Sequence, residues 1–397
     1  MAENGRLLAE SEPFGAGRCV TEFDLERLAG ERMRNTSFTP CADGYTLVPF
    51  SLAPWDTRLT RPVSPTPFLP PEGAERAARC ERILTMQAAG LARRLAHTGA
   101  KKAVVGISGG LDSCLALLVA VRAMERLGRP AADVLAVTMP CFGTTKRTRS
   151  NAELLCRELG VEFRQIDITG TVRSHFADIG QPEDQYDLTF ENSQARVRTL
   201  ELMDLAGREN GLVVGTGDLS ELALGWATYN GDHMSMYGVN AGVPKTLVRH
   251  IVQYEAGRAG EGALQRVLLD ILDTPVSPEL LPAAEDGGPG QQTEQLVGPY
   301  ELHDFYLYYA LRFGFGPGKI LRLAQAAFAG RYPDEVLMHW LQNFYRRFFA
   351  QQFKRSCLPD GPKIGSVTLS PRALWLAEVD GLRETVAKKA QMNLPNP

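Results

Sequence analysis

Ala103-Val-Val-Gly-Ile-Ser-Gly-Gly-Leu-Asp-Ser113 is the stretch that decides the fold, and the apolar residues 114–120 follow it directly. A short apolar run leads into a glycine turn, and the turn opens a helix with Asp112 and Ser113 in its first positions. Glycines let backbone N–H groups approach an anion closely, and a helix N-terminus adds partial positive charge. The pattern predicts a strand, turn and helix that cradle a polyphosphate. An ordinary strand–turn–helix corner is the alternative.

Asp112 is unusual in such a cradle, because a carboxylate repels phosphate. It therefore predicts a divalent cation that bridges to the phosphates. The lysine of the G-x-x-x-x-G-K-[ST] loop is missing. The pattern S-G-G-x-D-S instead resembles the pyrophosphate-loop ATPases, which split ATP into AMP and pyrophosphate. This resemblance implies that ATP contacts Gly106, Ile107, Ser108, Gly109, Gly110, Leu111, Asp112 and Ser113.

The composition narrows the class of protein. The 397 residues are 44% hydrophobic and 22% charged, which is typical of a globular chain with one large domain or two smaller ones. A net charge of −3 gives no indication of a nucleic-acid surface. No apolar run is long enough to span a membrane, and the polar N-terminus predicts no secretory signal. Seven cysteines without C-x-x-C predict reduced thiols in the cytoplasm and argue against a zinc or sulfur-transfer module.

Four segments are expected along the chain. Residues 1–50 contain too little apolar periodicity to bury a core alone. Residues 51–74 are a proline-rich linker, because prolines stiffen an extended chain. An α/β domain follows over residues 75–330. Residues 331–397 form a C-terminal helix and tail.

Short Val- and Ile-rich runs alternate with amphipathic segments in the third segment, which predicts a doubly wound parallel sheet with helices on both faces. The expected strands are Ala103–Ile107, Asp133–Met139, Val161–Ile168 and Leu212–Thr216, and the expected helices are 75–97, 112–127, 147–159 and 192–209. Ligands bind at the carboxyl ends of such strands. The pattern then becomes helical, near 301–313, 318–329 and 334–355. The glycine-rich loop 282–293 is either a mobile lid or a surface loop.

A second polar stretch, residues 215–240, follows the last predicted strand. Thr216 is placed to meet a nucleotide, and Glu221 is a second candidate carboxylate for Mg²⁺ beside Asp112. Asp232 and Lys245 follow in a segment that we expect to be rich in loops. A single acid or lysine is normally a solvated surface group, but here several cluster behind one strand end. His233 is either structural or catalytic.

These blocks are joined by five others: Phe190-Glu-Asn-Ser-Gln-Ala-Arg196, Pro244-Lys-Thr-Leu-Val248, Leu272-Asp-Thr-Pro-Val-Ser-Pro-Glu-Leu-Leu281, Val297-Gly-Pro-Tyr-Glu-Leu-His-Asp304 and Gly361-Pro-Lys-Ile-Gly-Ser366. Together they resemble the NAD synthetase family over roughly residues 75–375. The resemblance implies ATP-dependent amidation of deamido-NAD to NAD through an adenylate, with release of AMP and pyrophosphate. It also implies Mg²⁺ as cofactor, ATP as co-substrate, and a homodimer with the substrate site at the subunit boundary.

The resemblance also implies roles for individual residues. Lys245 and Ser277 contact the triphosphate, and Asp112 and Glu221 hold the metal. Asp232 lies at the nicotinate end and orients or deprotonates ammonium, so that Asp232 and Lys245 are the catalytic residues. The implied contacts of deamido-NAD are Asn192, Arg196, Glu221, Trp226, Asp232 and Lys363.

Glu3–Phe14 and Leu25–Phe38 resemble the closing stretch of the nitrilase-like glutaminase domain in the glutamine-dependent branch of this family. The Glu-Lys-Cys triad of that domain has no counterpart in this sequence, so we expect the chain to use ammonia. Two alternatives stay open at this point. One is another pyrophosphate-loop enzyme, such as a GMP synthetase. The other is a nucleotide-binding protein without enzymatic activity.

Overall fold

The computed structural model describes residues 1–15, 17–35, 37, 44–53, 59–70, 72–144, 146–275, 280–282 and 293–369. Ser277 lies outside these residues, as does most of the glycine-rich loop 282–293. In the part that is described, no helix is both long and apolar enough to cross a membrane.

The architecture is built on a five-stranded, entirely parallel sheet. A short antiparallel pair, β1 (Ala2–Glu3) and β2 (Arg6–Leu7), precedes it. The strands of the sheet are β3 (Lys102–Gly106), β4 (Val134–Thr138), β5 (Glu162–Gln165), β6 (Gly211–Gly215) and β7 (Tyr237–Gly238). Their order is β5-β4-β3-β6-β7, so the chain leaves β3 in one direction and returns on its other side as β6. Ligands bind at such switch points, outside the carboxyl ends of the strands.

Helices cover both faces of the sheet and form an extension after it. They are α1 (Leu25–Arg34), α2 (Ala74–Thr98), α3 (Leu111–Arg126), α4 (Lys146–Leu159), α5 (Thr169–Ile179), α6 (Leu188–Arg208), α7 (Leu219–Leu224), α8 (Lys245–Arg258), α9 (Ala263–Asp273), α10 (Thr293–Val297), α11 (Tyr300–Tyr308), α12 (Pro317–Ala327), α13 (Asp334–Ala350) and α14 (Gln352–Arg355). A π-helical turn, Tyr309–Phe313, follows α11.

Successive side chains of each strand alternate between two cores, as the period of a strand requires. In β3, Ala103 and Val105 pack with α2, α3, α8 and α9, whereas Val104 packs against residues of α5 and α6. The central strands are therefore buried on both faces, and this explains why they read as continuous apolar runs. The prediction of a doubly wound parallel sheet is confirmed.

The helical extension has a third core, rich in aromatic side chains, which joins α7, α11, α12 and α13. Phe305 and Tyr306, which precede the predicted segment boundary at residue 330, and Phe344, which follows it, are buried in this same core. The N-terminal α1 contacts this extension, because Asp24 and Lys319 form an ion pair and Arg312 lies 3.5 Å from Glu31. The limits of the four predicted segments stay predictions.

The four predicted strands and the four helices around them are confirmed, but other elements were missed, among them α5, β7 and α8. The helix α5 contains Gly170 and β-branched residues, which weaken its helical signal. The strand β7 is two residues long and lies at the sheet edge. Lys245 was expected in a loop-rich segment, and this is wrong: it is the first residue of α8, directly after the N-cap Pro244.

Candidate active site

The glycine turn links β3 to α3 and is held by its own hydroxyl groups. The Ser108 N–H donates to Ser113 Oγ at 3.3 Å, and the Gly110 N–H donates to Ser108 Oγ at 3.2 Å. Gly109 has φ +84°, and a Cβ there would lie 2.1 Å from the carbonyl oxygen of Thr148. Glycine is therefore required at this position, both for the backbone conformation and for the close approach of α4.

Behind this turn lies a group of four side chains that we call the acid–lysine centre: Asp112, Asp218, Glu221 and Lys245. The Lys245 Nζ lies 2.5 Å from Asp112 Oδ2, 2.6 Å from Asp218 Oδ2 and 2.8 Å from Glu221 Oε1. The Asp218 side chain is completely buried, and that of Lys245 is 5% exposed. The predicted proximity of Asp112, Glu221 and Lys245 is thus found, and Asp218 joins them.

Each member of the centre stands in the first turn of a helix or caps one. Asp112 is the second residue of α3, and Lys245 is the first residue of α8. Asp218 caps α7, where its Oδ1 accepts the N–H groups of Ser220 at 2.7 Å and Glu221 at 2.9 Å. Sequence reasoning overlooked Asp218. The signal was there, because an acid three residues before Glu221, shortly after the end of β6, is a helix N-cap pattern.

The charges of the centre do not balance. Burial raises the pKa of Asp112 to about 6, against the opposing effect of Lys245, and it raises the pKa of Glu221 well above its usual value. Burial alone would lower the pKa of Lys245, but the three carboxylates outweigh it and keep the ammonium charged. One ammonium thus faces three acids, so the centre favours further positive charge.

The same residues fit a divalent cation. Asp112, Asp218 and Glu221 offer ligand atoms that all lie within 4.8 Å of one another. Asp112 Oδ1 is buried and has no hydrogen-bond partner among the described residues. Carboxylate oxygens are the ligands that Mg²⁺ prefers in proteins. The arrangement can therefore hold Mg²⁺ beside the glycine turn, with the Lys245 ammonium as a further positive charge among the acids.

Asn240 and Asp304, which sequence reasoning also missed, position the centre. The Asn240 amide donates to the carbonyl oxygens of Asp112 at 2.9 Å and Thr216 at 3.0 Å, joining the start of α3 to the end of β6. Asp304 is 2% exposed and accepts the Ser220 hydroxyl, the Thr246 N–H at 3.0 Å and the Thr246 hydroxyl at 2.6 Å. Both residues lie in sequence blocks that carry the family resemblance, but neither had an assigned role.

Ser220 links Asp304 to the start of α8, because the Ser220 Oγ also accepts the Lys245 N–H at 2.8 Å. Asp304 on α11 therefore holds the N-termini of α7 and α8 in place. Burial raises the pKa of Asp304 to about 6, while the hydrogen bonds that it accepts favour its ionised form.

A second group of polar side chains surrounds Asp232. Asp232 lies in the segment between α7 and β7, residues 225–236, which we call the Asp232 loop. The Thr228 N–H donates to Asp232 Oδ1 at 2.6 Å, and the Thr228 hydroxyl donates to Asn192 Oδ1 at 2.8 Å. The Arg196 Nε–H donates to the carbonyl oxygen of Tyr229 at 3.3 Å. The residue Asp232 reaches solvent, yet the protein around its carboxylate removes hydration and raises its pKa. The structure thus brings Asn192 and Arg196 of α6 beside the loop that carries Asp232.

His233 is buried beside Asp232. One ring nitrogen lies 2.9 Å from the Thr228 carbonyl oxygen, and the other lies 3.3 Å from Cys357 Sγ. Burial lowers the pKa of His233, so its neutral form is favoured. With both nitrogens engaged, the ring ties the Asp232 loop to the tail, and the structural alternative is the better one for this residue.

Two other predicted contact residues lie apart from the acid–lysine centre. The Trp226 ring lies 5.2 Å from the guanidinium carbon of Arg347, beside the aromatic core. Lys363 is exposed on the tail that runs along β7, where the Gly238 N–H donates to the Asp360 carbonyl at 2.7 Å. Among the described residues, the Lys363 ammonium forms no ion pair with the acid–lysine centre. Their role toward deamido-NAD stays a prediction.

A parallel sheet with a glycine turn and clustered acids at its switch point defines an α/β protein of the pyrophosphate-loop type. The model of the NAD synthase family matches residues 83–312, more than half of the chain. The chain therefore belongs to the NAD synthase family.

Individual relatives agree with this. A glutamine-dependent NAD(+) synthetase of Mycobacterium leprae is 44% identical over 414 residues, which covers 95% of this chain and 61% of the relative. An NH(3)-dependent NAD(+) synthetase of Methanosarcina mazei is 42% identical over 137 residues, or 34% of this chain and 52% of the relative. The chain spans about 60% of the length of the mycobacterial relatives that it matches.

Among solved structures, a glutamine-dependent NAD(+) synthetase from Cytophaga hutchinsonii has the same fold, with a TM-score of 0.62. The match covers 77% of this chain and 56% of that one, at 18% sequence identity. This similarity shows the fold alone.

Proposed function

We propose that this chain catalyses the ATP-dependent amidation of deamido-NAD to NAD, with release of AMP and pyrophosphate. The observation that carries the proposal is the acid–lysine centre, which lies beside the glycine turn where the sheet reverses its strand order. Membership of the NAD synthase family supports the identity of the substrate. It also disfavours a GMP synthetase-like activity.

In the first step, the nicotinate carboxylate attacks the α-phosphorus of ATP, and the bond from the α-phosphorus to the bridging oxygen breaks. Ser108, Gly109, Gly110 and Ser113 bind the pyrophosphate that leaves. Asp112, Asp218 and Glu221 hold Mg²⁺, which when bound neutralises phosphate oxygens. Lys245 moves its ammonium onto the polyphosphate, where the loss of one such charge costs roughly a hundredfold in rate.

In the second step, ammonia attacks the activated carbonyl carbon, and AMP leaves as the carbon–oxygen bond to the adenylate breaks. Asp232 binds ammonium and takes its proton, and its raised pKa suits a carboxylate for this transfer. Asn192 and Arg196, which lie on α6 beside the Asp232 loop, bind deamido-NAD. Trp226, Lys363 and, for the triphosphate, Ser277 and Thr216 are further proposed contacts.

We also propose a homodimer with the substrate site at the subunit boundary, and a cytoplasmic location. Residues 1–50 are proposed as the end of a nitrilase-like glutaminase domain, followed by the linker 51–74. The coverage of 95% of this chain by glutamine-dependent relatives supports this reading of the N-terminal segment.

The test is a product assay with the purified chain. We expect NAD, AMP and pyrophosphate, identified by mass, from deamido-NAD, ATP, Mg²⁺ and ammonium. Parallel reactions replace ammonium by glutamine, and deamido-NAD by xanthosine monophosphate, and we expect no amidated product from either. Nucleotide binding without pyrophosphate release would instead favour a protein that only binds ATP, and it would contradict the proposed reaction.

A further inference from the structure

Tyr300, the first residue of α11, places a buried hydroxyl without a described hydrogen-bond partner near the acid–lysine centre. The residue is 2% exposed, and its ring centroid lies 5.3 Å from Lys245 Nζ. Its Oη is buried and has no hydrogen-bond partner among the residues that the structure describes. A buried hydroxyl that forms no hydrogen bond is unfavourable, and most such groups in proteins are paired.

Another tyrosine of the same helix follows the usual rule. Tyr306 is completely buried, and its hydroxyl donates to the Leu337 carbonyl oxygen at 3.0 Å. Burial in α11 therefore does not by itself prevent a tyrosine from finding an acceptor. The difference lies in what surrounds Tyr300.

The surroundings of Tyr300 are acceptors that Lys245 already engages. Asp112, Asp218 and Glu221 each direct one carboxylate oxygen at the Lys245 ammonium. Burial and the negative charge of Glu221 raise the pKa of Tyr300 well above its usual value, so its hydroxyl keeps its proton and remains a donor. The Tyr300 hydroxyl is thus a donor near three acids that each direct one oxygen at Lys245, and it forms no hydrogen bond with any of them in this arrangement.

We propose that Tyr300 is a positioning residue for the nucleotide-loaded site, whose hydroxyl gains Glu221 as acceptor when the Lys245 ammonium leaves the three acids. This inference rests on the proposed function, in which the Lys245 ammonium meets the polyphosphate and the three acids would hold Mg²⁺. The new hydrogen bond orients the Glu221 carboxylate for the cation. The free protein carries the unpaired hydroxyl, and the loaded protein does not.

The test compares Tyr300→Phe with Tyr306→Phe, which removes a paired hydroxyl from the same helix. The melting temperature of each variant is measured without ligand. Its dissociation constant for α,β-methylene-ATP is then measured by calorimetry, once with Mg²⁺ and once with EDTA. For Tyr300→Phe we expect an unchanged or higher melting temperature and about 3- to 10-fold weaker binding with Mg²⁺. For Tyr306→Phe we expect a lower melting temperature and unchanged binding.

Two results would overturn the inference. One is wild-type affinity for the magnesium-bound analogue in Tyr300→Phe. The other is a fall in its ligand-free melting temperature like that of Tyr306→Phe, which would mean that the hydroxyl is already paired. Weaker binding that persists equally with EDTA would also contradict the link to the cation. If the wild-type chain itself fails to bind the analogue, the proposed function fails as well.

Discussion

The acid–lysine centre and the Asp232 loop are both polar, yet they are built in different ways. The centre stands on the N-termini of α3, α7 and α8, and Asn240 and Asp304 lock those helices together. The Asp232 loop has no regular element of its own. It is held by hydrogen bonds to backbone groups, including those from Lys354 Nζ to the carbonyl oxygens of Gly225 at 2.9 Å and Ala227 at 2.6 Å.

This difference suggests a division of labour. The centre is braced by Asn240 and Asp304 and places one ammonium among three acids, which suits the proposed metal and polyphosphate. The Asp232 loop exposes its acid and is tied to the tail through His233 and Cys357. In the proposed reaction this acid serves the second step, in which ammonia attacks, and the centre serves the first.

The largest expected effects come from the acid–lysine centre. There, removing an acid and removing the lysine should change the free energy of unfolding in opposite directions. Asp112→Ala should reduce pyrophosphate release at least a hundredfold, while the free energy of unfolding stays equal or rises, because one of three like charges is removed. Lys245→Met should reduce the rate similarly but lower stability by about 3–5 kcal/mol, because it leaves buried acids unpaired. Rates come from a pyrophosphate assay, and stabilities come from urea unfolding.

Asp204→Ala, which changes an exposed acid on α6, is the control and should alter neither quantity. A wild-type rate in Asp112→Ala would remove this residue from the site. Equal losses of stability in the Asp112 and Lys245 variants would contradict the excess of negative charge.

A smaller effect is expected in the Asp232 loop. Asp232→Asn should slow NAD formation roughly tenfold to a hundredfold, since general-base catalysis contributes on this scale. Adenylate formation, measured as exchange of labelled pyrophosphate into ATP, should stay near the wild-type rate. Equal losses in both assays would show that Asp232 does not separate the two steps, and the contrast with Asp112→Ala would disappear.

The smallest expected effect concerns the residue that braces the centre. Burial raises the pKa of Asp304 from 3.8 to about 6, so its ionisation opposes folding. The contribution of Asp304 to the free energy of unfolding is fully present below its unfolded pKa of 3.8. It is lost as the pH rises through its folded pKa of about 6. From pH 7.5 to pH 5, the wild type should therefore gain on the order of 1 kcal/mol relative to Asp304→Asn. Urea unfolding at the two pH values measures this, and a constant difference would contradict the raised pKa.

The two regions also differ in how far the sequence predicted them. Asp112 and Glu221 follow directly from the strand ends and helix starts around them, and the structure brings both to Lys245. Asp218 was missed, although it carries an N-cap signal. Asp304 lies far along the chain from Ser220 and Thr246, so no local pattern could link them.

The sequence by itself determined the parallel sheet, the glycine turn and the family, because these depend on local periodicity and on short motifs whose backbone geometry admits few residue types. Only the tertiary structure decided that one ammonium sits among three carboxylates, that Asp304 braces two helices, and that the Tyr300 hydroxyl is left without a described partner. Burial and charge balance depend on groups that are distant in sequence and become neighbours only when the helices pack.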